Sequence, residues 1–257
     1  MKYIGIDIGS TASKVYIIGE IDQYFVIPTG WNSKETAQKI KEILQEKYNI
    51  NPEDENVKVV TTGYGRVSVP YQNKNITEIT CHGKGASILS NKDNITVIDI
   101  GGQDTKVISV VDGRVDDFIM NDKCSAGTGR FIEIMADKLS LSLDELFDLA
   151  KIGKNIKISS MCTVFAESEI ISLMGAGEKK ENIARGIVSS VITKVKQLAS
   201  RKLDDKELFL TGGLSSSPIF LELLNEEMGM EVSTNKLAKY AGAIGAASIA
   251  KEKFGGK

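Results

Sequence analysis

Two cysteines stand where a cysteine can serve as a metal ligand. Cys124 lies in "NDKCSAGTGRF", residues 121 to 131, and Cys162 lies in "SSMCTVFAESE", residues 159 to 169. Each precedes a segment whose apolar residues recur at helical spacing, so we predict both sulfurs at helix N-termini. The partial positive charge at such a terminus favours a thiolate, and equally an anionic iron–sulfur cluster.

The number of these ligands has a consequence for oligomeric state. An iron–sulfur cluster typically needs four thiolates, whereas this pattern supplies two per chain. A twofold dimer with the cluster on its axis supplies all four. The residues alone leave a second interpretation open, in which the two are unrelated thiols at helix caps. The third cysteine, Cys81, is expected to be a buried thiol, and its neighbour His82 a structural histidine with hydrogen-bonded ring nitrogens.

A second chemical pattern occurs twice. The segment "GIDIGSTASKVYII", residues 5 to 18, aligns without a gap to "VIDIGGQDTKVISV", residues 97 to 110. Each copy predicts a β-hairpin, with an aspartate near the end of the first strand and a turn of small residues. Backbone N–H groups and hydroxyls in such turns can surround phosphate, and Asp7 or Asp99 can hold Mg²⁺ through water. Either turn alone is also compatible with an ordinary hairpin, but the duplication favours a phosphate site.

A third segment, "ELFLTGGLSSSPIF" at residues 207 to 220, predicts a strand, then Gly212 and Gly213, then a Ser-rich entry to a helix. Paired glycines let a backbone approach a flat ligand closely, although strand, Gly-Gly and helix is also a common structural link. After two hairpins, the segment resembles the adenosine-binding part of the actin, sugar-kinase and heat-shock-chaperone ATPase superfamily. That resemblance implies two lobes with nucleotide between them.

The elements that must position these residues indicate an α/β protein. Helical periodicity over residues 32–48 and 179–203 alternates with short apolar strands. We therefore predict a duplicated actin-like, sugar-kinase and heat-shock-chaperone ATPase fold. Lobe I is expected at residues 1–94 with the C-terminal helix, 238–257, packed on it. Lobe II, 95–237, is expected to carry the second hairpin, both cysteine segments and the adenosine segment.

Composition excludes several functions. The 257 residues are 42% hydrophobic, which is ample for a core, and 32 basic against 34 acidic residues give a net charge of -2. Without a basic block, nucleic-acid binding has no support. The N-terminal segment lacks a signal-peptide core, and no apolar run approaches the roughly 20 residues that span a bilayer. We expect a cytoplasmic protein without membrane contact, in which disulfides are disfavoured.

Seven segments together resemble one family: "IDIGSTASK", "TGYGR", "CHGKGAS", "VIDIGGQDTKVI", "NDKCSAGTGRF", "CTVFAESE" and "TGGL". They look like the activator component of 2-hydroxyacyl-CoA dehydratases, in the BadF/BadG/BcrA/BcrD-type ATPase family, which also includes ATPase subunits of benzoyl-CoA reductase. The resemblance implies a homodimer with ATP or ADP and Mg²⁺ in each chain. It implies one [4Fe-4S] cluster bridging the subunits, held by Cys124 and Cys162 of each.

The same resemblance implies an activity. ATP binding and hydrolysis would drive one low-potential electron from this protein to a partner iron–sulfur dehydratase or reductase. An electron donor such as ferredoxin or flavodoxin would reduce it again. Only "DGRVDDFIM" separates the second hairpin from the Cys124 segment, so nucleotide and cluster sites are expected to be coupled.

Carried over residue by residue, the resemblance assigns Asp7 and Asp99 to Mg²⁺ and its water. The Gln103 amide would position the hydrolytic water, with Asp104 as the alternative in the role of general base. Glu167 would either reach nucleotide or support the start of its helix. The remaining nucleotide contacts would come from Ser10, Thr11, Lys14, Gly101, Gly102, Gln103, Gly212 and Gly213.

Several functions compete with this one. A sugar-kinase-like phosphotransferase would use the same fold, with Asp104 activating a substrate hydroxyl. An ATP-driven binding module without redox chemistry would remodel a partner as chaperones do. The cysteine pair favours electron transfer over both. A benzoyl-CoA reductase-type ATPase subunit and a reductase of a double-cubane cluster protein share the motifs and stay open.

Overall fold

The first predicted hairpin lies in a five-stranded sheet. The computed structural model describes residues 1–158, 162–202 and 207–256. The first sheet has the strand order β3-β2-β1-β4-β5, with β1 antiparallel to β2 and parallel to β4. Its strands are β1 Lys2–Ile8, β2 Ala12–Ile18, β3 Gln23–Pro28, β4 Val57–Thr62 and β5 Lys74–Asn75. The register of β1 and β2 places Asp7 opposite Lys14.

The second predicted hairpin lies in another five-stranded sheet, with the order β10-β9-β6-β7-β8. Its strands are β6 Ile95–Ile100, β7 Thr105–Val111, β8 Arg114–Asn121, β9 Glu207–Gly212 and β10 Val232–Ser233. As in the first sheet, the two hairpin strands are neighbours, which confirms the duplicated supersecondary unit. The strand β9 leads into the Gly-Gly segment, as predicted.

Eight α-helices accompany these strands within the described residues. They are α1 Ser33–Tyr48, α2 Glu78–Ser90, α3 Gly129–Lys138, α4 Leu143–Ile152, α5 Thr163–Gly175, α6 Lys180–Ala199, α7 Pro218–Met228 and α8 Ala241–Phe254. The local sequence sets several ends: Asn32 caps α1 by accepting the Lys34 backbone N–H, and Asn49 ends it in the left-handed region.

The chain divides into two compact units, Met1–Ile95 with Ser109–Asp117 and Leu237–Lys257, and Thr96–Ile108 with Phe118–Lys236. The lobes expected from the sequence stay a prediction. Among the described residues, no helix has both the length and the apolar character that a membrane span requires.

In the first unit, glycines let helix and strand backbones touch. A Cβ atom on Gly5 of β1 would lie 1.9 Å from the Ala243 carbonyl oxygen, and one on Gly245 would lie 1.9 Å from the Cys81 carbonyl oxygen. These approaches hold α8 against both β1 and α2. They explain why the C-terminal helix is rich in small residues.

Among the described residues of the second unit, strands and helices share a large apolar core. Phe131 and Met135 of α3 are buried in it, together with Phe147 of α4 and Phe220 of α7. The Phe147 and Phe220 rings lie 5.8 Å apart at a tilt of 59°, a favourable arrangement for aromatic pairs. This core fixes α3, and so fixes the loop that carries Cys124.

Candidate functional site

The first hairpin turn brings four predicted site residues together. Ser10 and Thr11 are exposed at its tip, and Asp7 is buried at the end of β1. Lys14 lies opposite Asp7 on β2, and its Nζ atom is 3.7 Å from the position of a Cβ on Gly9. One turn therefore presents hydroxyls and an ammonium group beside a buried carboxylate.

The Asp7 carboxylate has room on two sides because its neighbours lack side chains. A Cβ on Gly63 would lie 2.6 Å from Asp7 Oδ1, and a Cβ on Gly242 would lie 2.8 Å from Asp7 Oδ2. Gly63 also has a φ of 84°, a conformation that favours glycine. The buried ring of His82 places its Nε2 atom 3.7 Å from Asp7 Oδ2 and 3.9 Å from Glu78 Oε1. His82 thus borders the Asp7 carboxylate.

The second turn contains a buried ionic cluster. Lys106 is 1% exposed, and its Nζ atom lies 2.6 Å from Asp104 Oδ1 and 3.5 Å from Asp99 Oδ2. The Thr211 hydroxyl donates to Asp99 Oδ1 at 2.8 Å. Lys106 aligns with Lys14 in the duplicated segment, yet the sequence pattern predicted no role for it in the site. In the structure it is the cation that sits with both carboxylates.

Part of the backbone of this turn is already hydrogen-bonded within the protein. The Gly101 N–H donates to the Asp104 carbonyl at 2.9 Å, within the turn. The carbonyls of Gly101 and Gly102 accept from the N–H groups of Gly129 and Arg130, at 2.9 and 3.0 Å. The second turn is thus bonded to the first residues of α3. The Gln103 side chain is exposed at the tip.

The position of Cys124 differs from the prediction. Its helix, α3, begins at Gly129 with Thr128 as the N-cap residue, so Cys124 lies in the preceding loop rather than at the helix terminus. The reason is local: Gly127 has a φ of 90° and Thr128 is extended, which interrupts any earlier helical turn. Two N–H groups at the end of this loop are bonded within the chain, because those of Thr128 and Gly129 donate to the Ser125 and Gly101 carbonyls.

The Cys124 loop is held by side chains. Asn121 Nδ2 donates to the carbonyls of Cys124 and Ala126, both at 3.0 Å. The Thr128 hydroxyl donates to the Ser125 carbonyl at 2.7 Å. These bonds fix the loop backbone while the Cys124 side chain is exposed.

Cys162 is the N-cap residue of α5 and is exposed, which confirms its predicted place. The preceding residues of its motif, 159 to 161, lie outside the described residues. No acidic residue is in the first turn of α5, and Glu167 lies in the second turn. The Glu167 carboxylate lies 2.6 Å from Lys138 Nζ. Ser125 Oγ and Thr163 Oγ1 are 2.6 Å apart, so both cysteines are one residue from a shared hydrogen bond.

The Gly-Gly segment lies beside the second turn. Gly212 has a φ of 87°, and its Cβ would lie 2.2 Å from the Ile100 carbonyl oxygen, so the protein itself requires glycine there. Gly213 is exposed, and a Cβ on it would meet no described atom within 4 Å. Of the pair, Gly213 therefore has the open face that a flat ligand needs.

Cys81 is fully buried, as predicted, and burial raises the pKa of its thiol to about 12. A raised pKa leaves about a thousandfold less thiolate at pH 8 than an ordinary thiol has. In the folded protein we expect Cys81 to resist iodoacetamide while Cys124 and Cys162 react. The rate at which Cys81 reacts should rise about tenfold per pH unit towards pH 12. Peptide mass spectrometry measures this, and equal labelling of all three would contradict it.

Comparison with known proteins gives consistent matches. The family model described as the BadF/BadG/BcrA/BcrD ATPase family matches residues 4–250. The chain is 43% identical over 255 residues to the (R)-2-hydroxyglutaryl-CoA dehydratase activating ATPase of Acidaminococcus fermentans, covering 97% of each protein.

Solved structures agree with the fold. The activator of the 2-hydroxyisocaproyl-CoA dehydratase from Clostridium difficile, with bound ADPNP, has a TM-score of 0.89 and 36% identity over 98% of this chain and 95% of that one. A ROK family glucokinase from Streptomyces griseus has a TM-score of 0.63 at 13% identity, over 98% of this chain and 100% of its own. The predicted fold class is confirmed.

Proposed function

Because the chain belongs to the BadF/BadG/BcrA/BcrD ATPase family, we propose that it is an ATP-hydrolysing activator that delivers single low-potential electrons to an iron–sulfur dehydratase. Similarity to dehydratase activators along almost the whole chain supports the activator role. The observation that carries the electron-transfer part is the pair of exposed thiols, Cys124 and Cys162, on segments bonded through Ser125 and Thr163.

The two thiols fit a shared [4Fe-4S] cluster. Thiolates are the usual ligands of such clusters, and both side chains are exposed instead of packed into the core. The hydrogen bond between Ser125 and Thr163 limits how far the two segments can separate. Two copies of the chain would supply the four ligands. When bound, the cluster would supply a one-electron carrier of low potential.

Exposed apolar residues beside Cys162 support association of two copies there. Val164 and Phe165, in the first turn of α5, are 67% and 68% exposed, and Ile171 and Met174 further along are also exposed. Apolar groups in one exposed helix are typical of a surface that meets a protein. A dimer joined at Cys162 would bring these side chains close to its twofold axis.

The hairpins supply the nucleotide chemistry. Ser10, Thr11 and the Lys14 ammonium would bind phosphate oxygens from the first turn, and Asp7 would hold Mg²⁺ through water. In the second turn Gly102 and Gln103 would face phosphate, since the Gly101 N–H is committed to Asp104. Asp99 would hold metal-bound water, with its carboxylate oriented by Thr211.

The contacts of Asp104 favour Gln103 as the residue that positions the hydrolytic water. Asp104 is 3% exposed, and its Oδ1 atom lies 2.6 Å from Lys106 Nζ. One oxygen of this carboxylate is therefore already engaged by a buried ammonium. Gln103 is exposed at the turn, and its amide can orient water without accepting its proton. The same contact disfavours a sugar kinase that uses Asp104 as its base.

Anaerobic purification with iron, sulfide and ATPase measurements tests the proposal. We expect about two iron atoms per chain, one cluster per dimer, and an electron paramagnetic resonance signal after one-electron reduction. With an excess of reductant and a dehydratase as acceptor, electron delivery should require hydrolysable ATP. A colourless, iron-free protein that phosphorylates a sugar would overturn the proposal.

A further inference from the structure

Hydroxyl side chains that are not among the proposed ligand contacts connect the second turn to both cysteine segments. The first belongs to Thr105, the residue after Asp104. Its Oγ1 atom donates to the Gly127 carbonyl at 2.6 Å, and the residue is only 2% exposed. This buried hydrogen bond therefore holds the Cys124 loop against the second turn.

Further hydrogen bonds connect residues within the Cys124 loop. Gly127 is followed by Thr128, whose N–H and hydroxyl both donate to the Ser125 carbonyl, at 3.0 and 2.7 Å. Thr128 is fully buried. A displacement of Gly127 is therefore passed to Ser125, the residue next to Cys124.

The last connection reaches the other cysteine. Ser125 Oγ and Thr163 Oγ1 lie 2.6 Å apart, and Thr163 is the first residue of α5, directly after Cys162. One hydrogen bond thus joins the neighbours of the two thiols. The connection runs from Thr105 through the Cys124 loop to the start of α5.

We propose that Thr105, Ser125 and Thr163 form a hydroxyl relay through which the nucleotide state of the second turn sets the exposure of Cys124 and Cys162. The relay rests on the proposed function, since it requires that the turn binds nucleotide. A phosphate contact at Gly102 or Gln103 moves the residues beside Thr105 and pulls on the Gly127 carbonyl. Ser125 and Thr163 then carry the shift to both thiols, so these three are positioning residues.

The test compares two nucleotides on the full-length protein. In the iron-free chain, maleimide labelling of Cys124 and Cys162 is timed with ADP and with ADPNP, with buried Cys81 as the internal control. In the iron-loaded protein, loss of iron to a chelator is timed under the same conditions. Each measurement gives a ratio of rates between the two nucleotides, which overall loss of stability does not produce.

Thr105→Val removes the hydroxyl and keeps the side-chain shape. We expect the ratio of the rate with ADPNP to the rate with ADP to fall by about fivefold towards one, because one hydrogen bond usually contributes a factor of about this size. Nucleotide affinity, measured by calorimetry, should stay within about twofold because Thr105 is not a phosphate contact. Thr105→Ser should restore the ratio. The matched control is Thr234→Val, which removes a hydroxyl that donates to the Leu210 carbonyl at 2.9 Å outside the relay.

A second site keeps the test decisive if Thr105→Val folds poorly. Ser125→Ala and Thr163→Val change half-buried positions and remove the same bond from either end. Each single variant and the double variant should lower the ratio equally, since one bond is lost in all three. Additive effects of the two changes would count against a shared bond.

The outcomes separate the two proposals. Wild-type thiols and iron that respond equally to ADP and ADPNP overturn the relay, as does a Thr105→Val protein with the wild-type ratio. Both results leave the proposed electron transfer standing. A wild-type protein that binds no iron defeats electron transfer, and the labelling ratios of the iron-free chain still decide the relay.

Discussion

Replacing Cys162 with serine is expected to remove bound iron almost completely. A dimer of Cys162→Ser chains would retain only two of the four thiolates, and a serine hydroxyl is a much weaker ligand for iron. We expect iron and sulfide contents at about a tenth of wild type or less, because four cysteines normally hold such a cluster. Colorimetric iron and sulfide assays on anaerobically reconstituted protein measure this.

Two further variants sharpen the result. Cys124→Ser should match Cys162→Ser, since each removes one ligand per chain, whereas Cys81→Ala changes a fully buried thiol and should keep its iron. Nucleotide affinity should survive in both ligand variants because neither cysteine belongs to a hairpin turn. If Cys162→Ser kept a full iron complement with a normal spectrum, the ligand assignment would be wrong.

Much of the fold was predictable because its signals are local. Alternation of apolar residues around small turns identified both hairpins, and helical periodicity over residues 32–48 identified α1. The N-cap position of Cys162 followed from the helical spacing after it. Each of these features depends on residues within a few positions of one another.

The error at Cys124 also has a local cause. The apolar spacing of Phe131 and Met135 correctly indicated α3, but the helix start was placed too early. In the structure Gly127 has a positive φ and Thr128 is the extended N-cap residue. The sequence "AGTG" already contains a glycine followed by threonine, a residue type favoured at N-caps. Gly127 therefore indicated the start of α3 better than Cys124 did.

The role of Lys106 was not predictable from local pattern. Its burial depends on Asp99 from the neighbouring strand, on the adjacent turn, and on Thr211, which comes from a distant part of the sequence. In a strand whose apolar and polar residues alternate, a lysine is usually expected to face solvent. The burial of Lys106 follows from the packing around the sheet that contains β6, β7 and β9, which residues close in sequence do not reveal.

Replacing Lys106 with methionine should therefore have a large effect on both stability and hydrolysis. The change keeps much of the side-chain volume but leaves the Asp99 and Asp104 carboxylates buried without their cation. Removing one partner from a buried ionic group typically costs about 3–5 kcal/mol of unfolding free energy. Urea unfolding measures that loss, and the ATP hydrolysis rate should fall about a hundredfold as Asp99 loses its orientation.

A second substitution separates charge from geometry. In the double variant Lys106→Met with Asp104→Asn, one carboxylate and one ammonium disappear together, so the formal charge of the buried cluster returns to its wild-type value. Unfolding free energy should recover by about half or more, because the uncompensated carboxylate caused most of the loss. Hydrolysis should stay low in this variant, because Asp99 still lacks the contact with the Lys106 ammonium that orients it. If hydrolysis recovers together with stability, Lys106 affects the reaction only by balancing the charge of Asp104, and its role in orienting Asp99 is wrong.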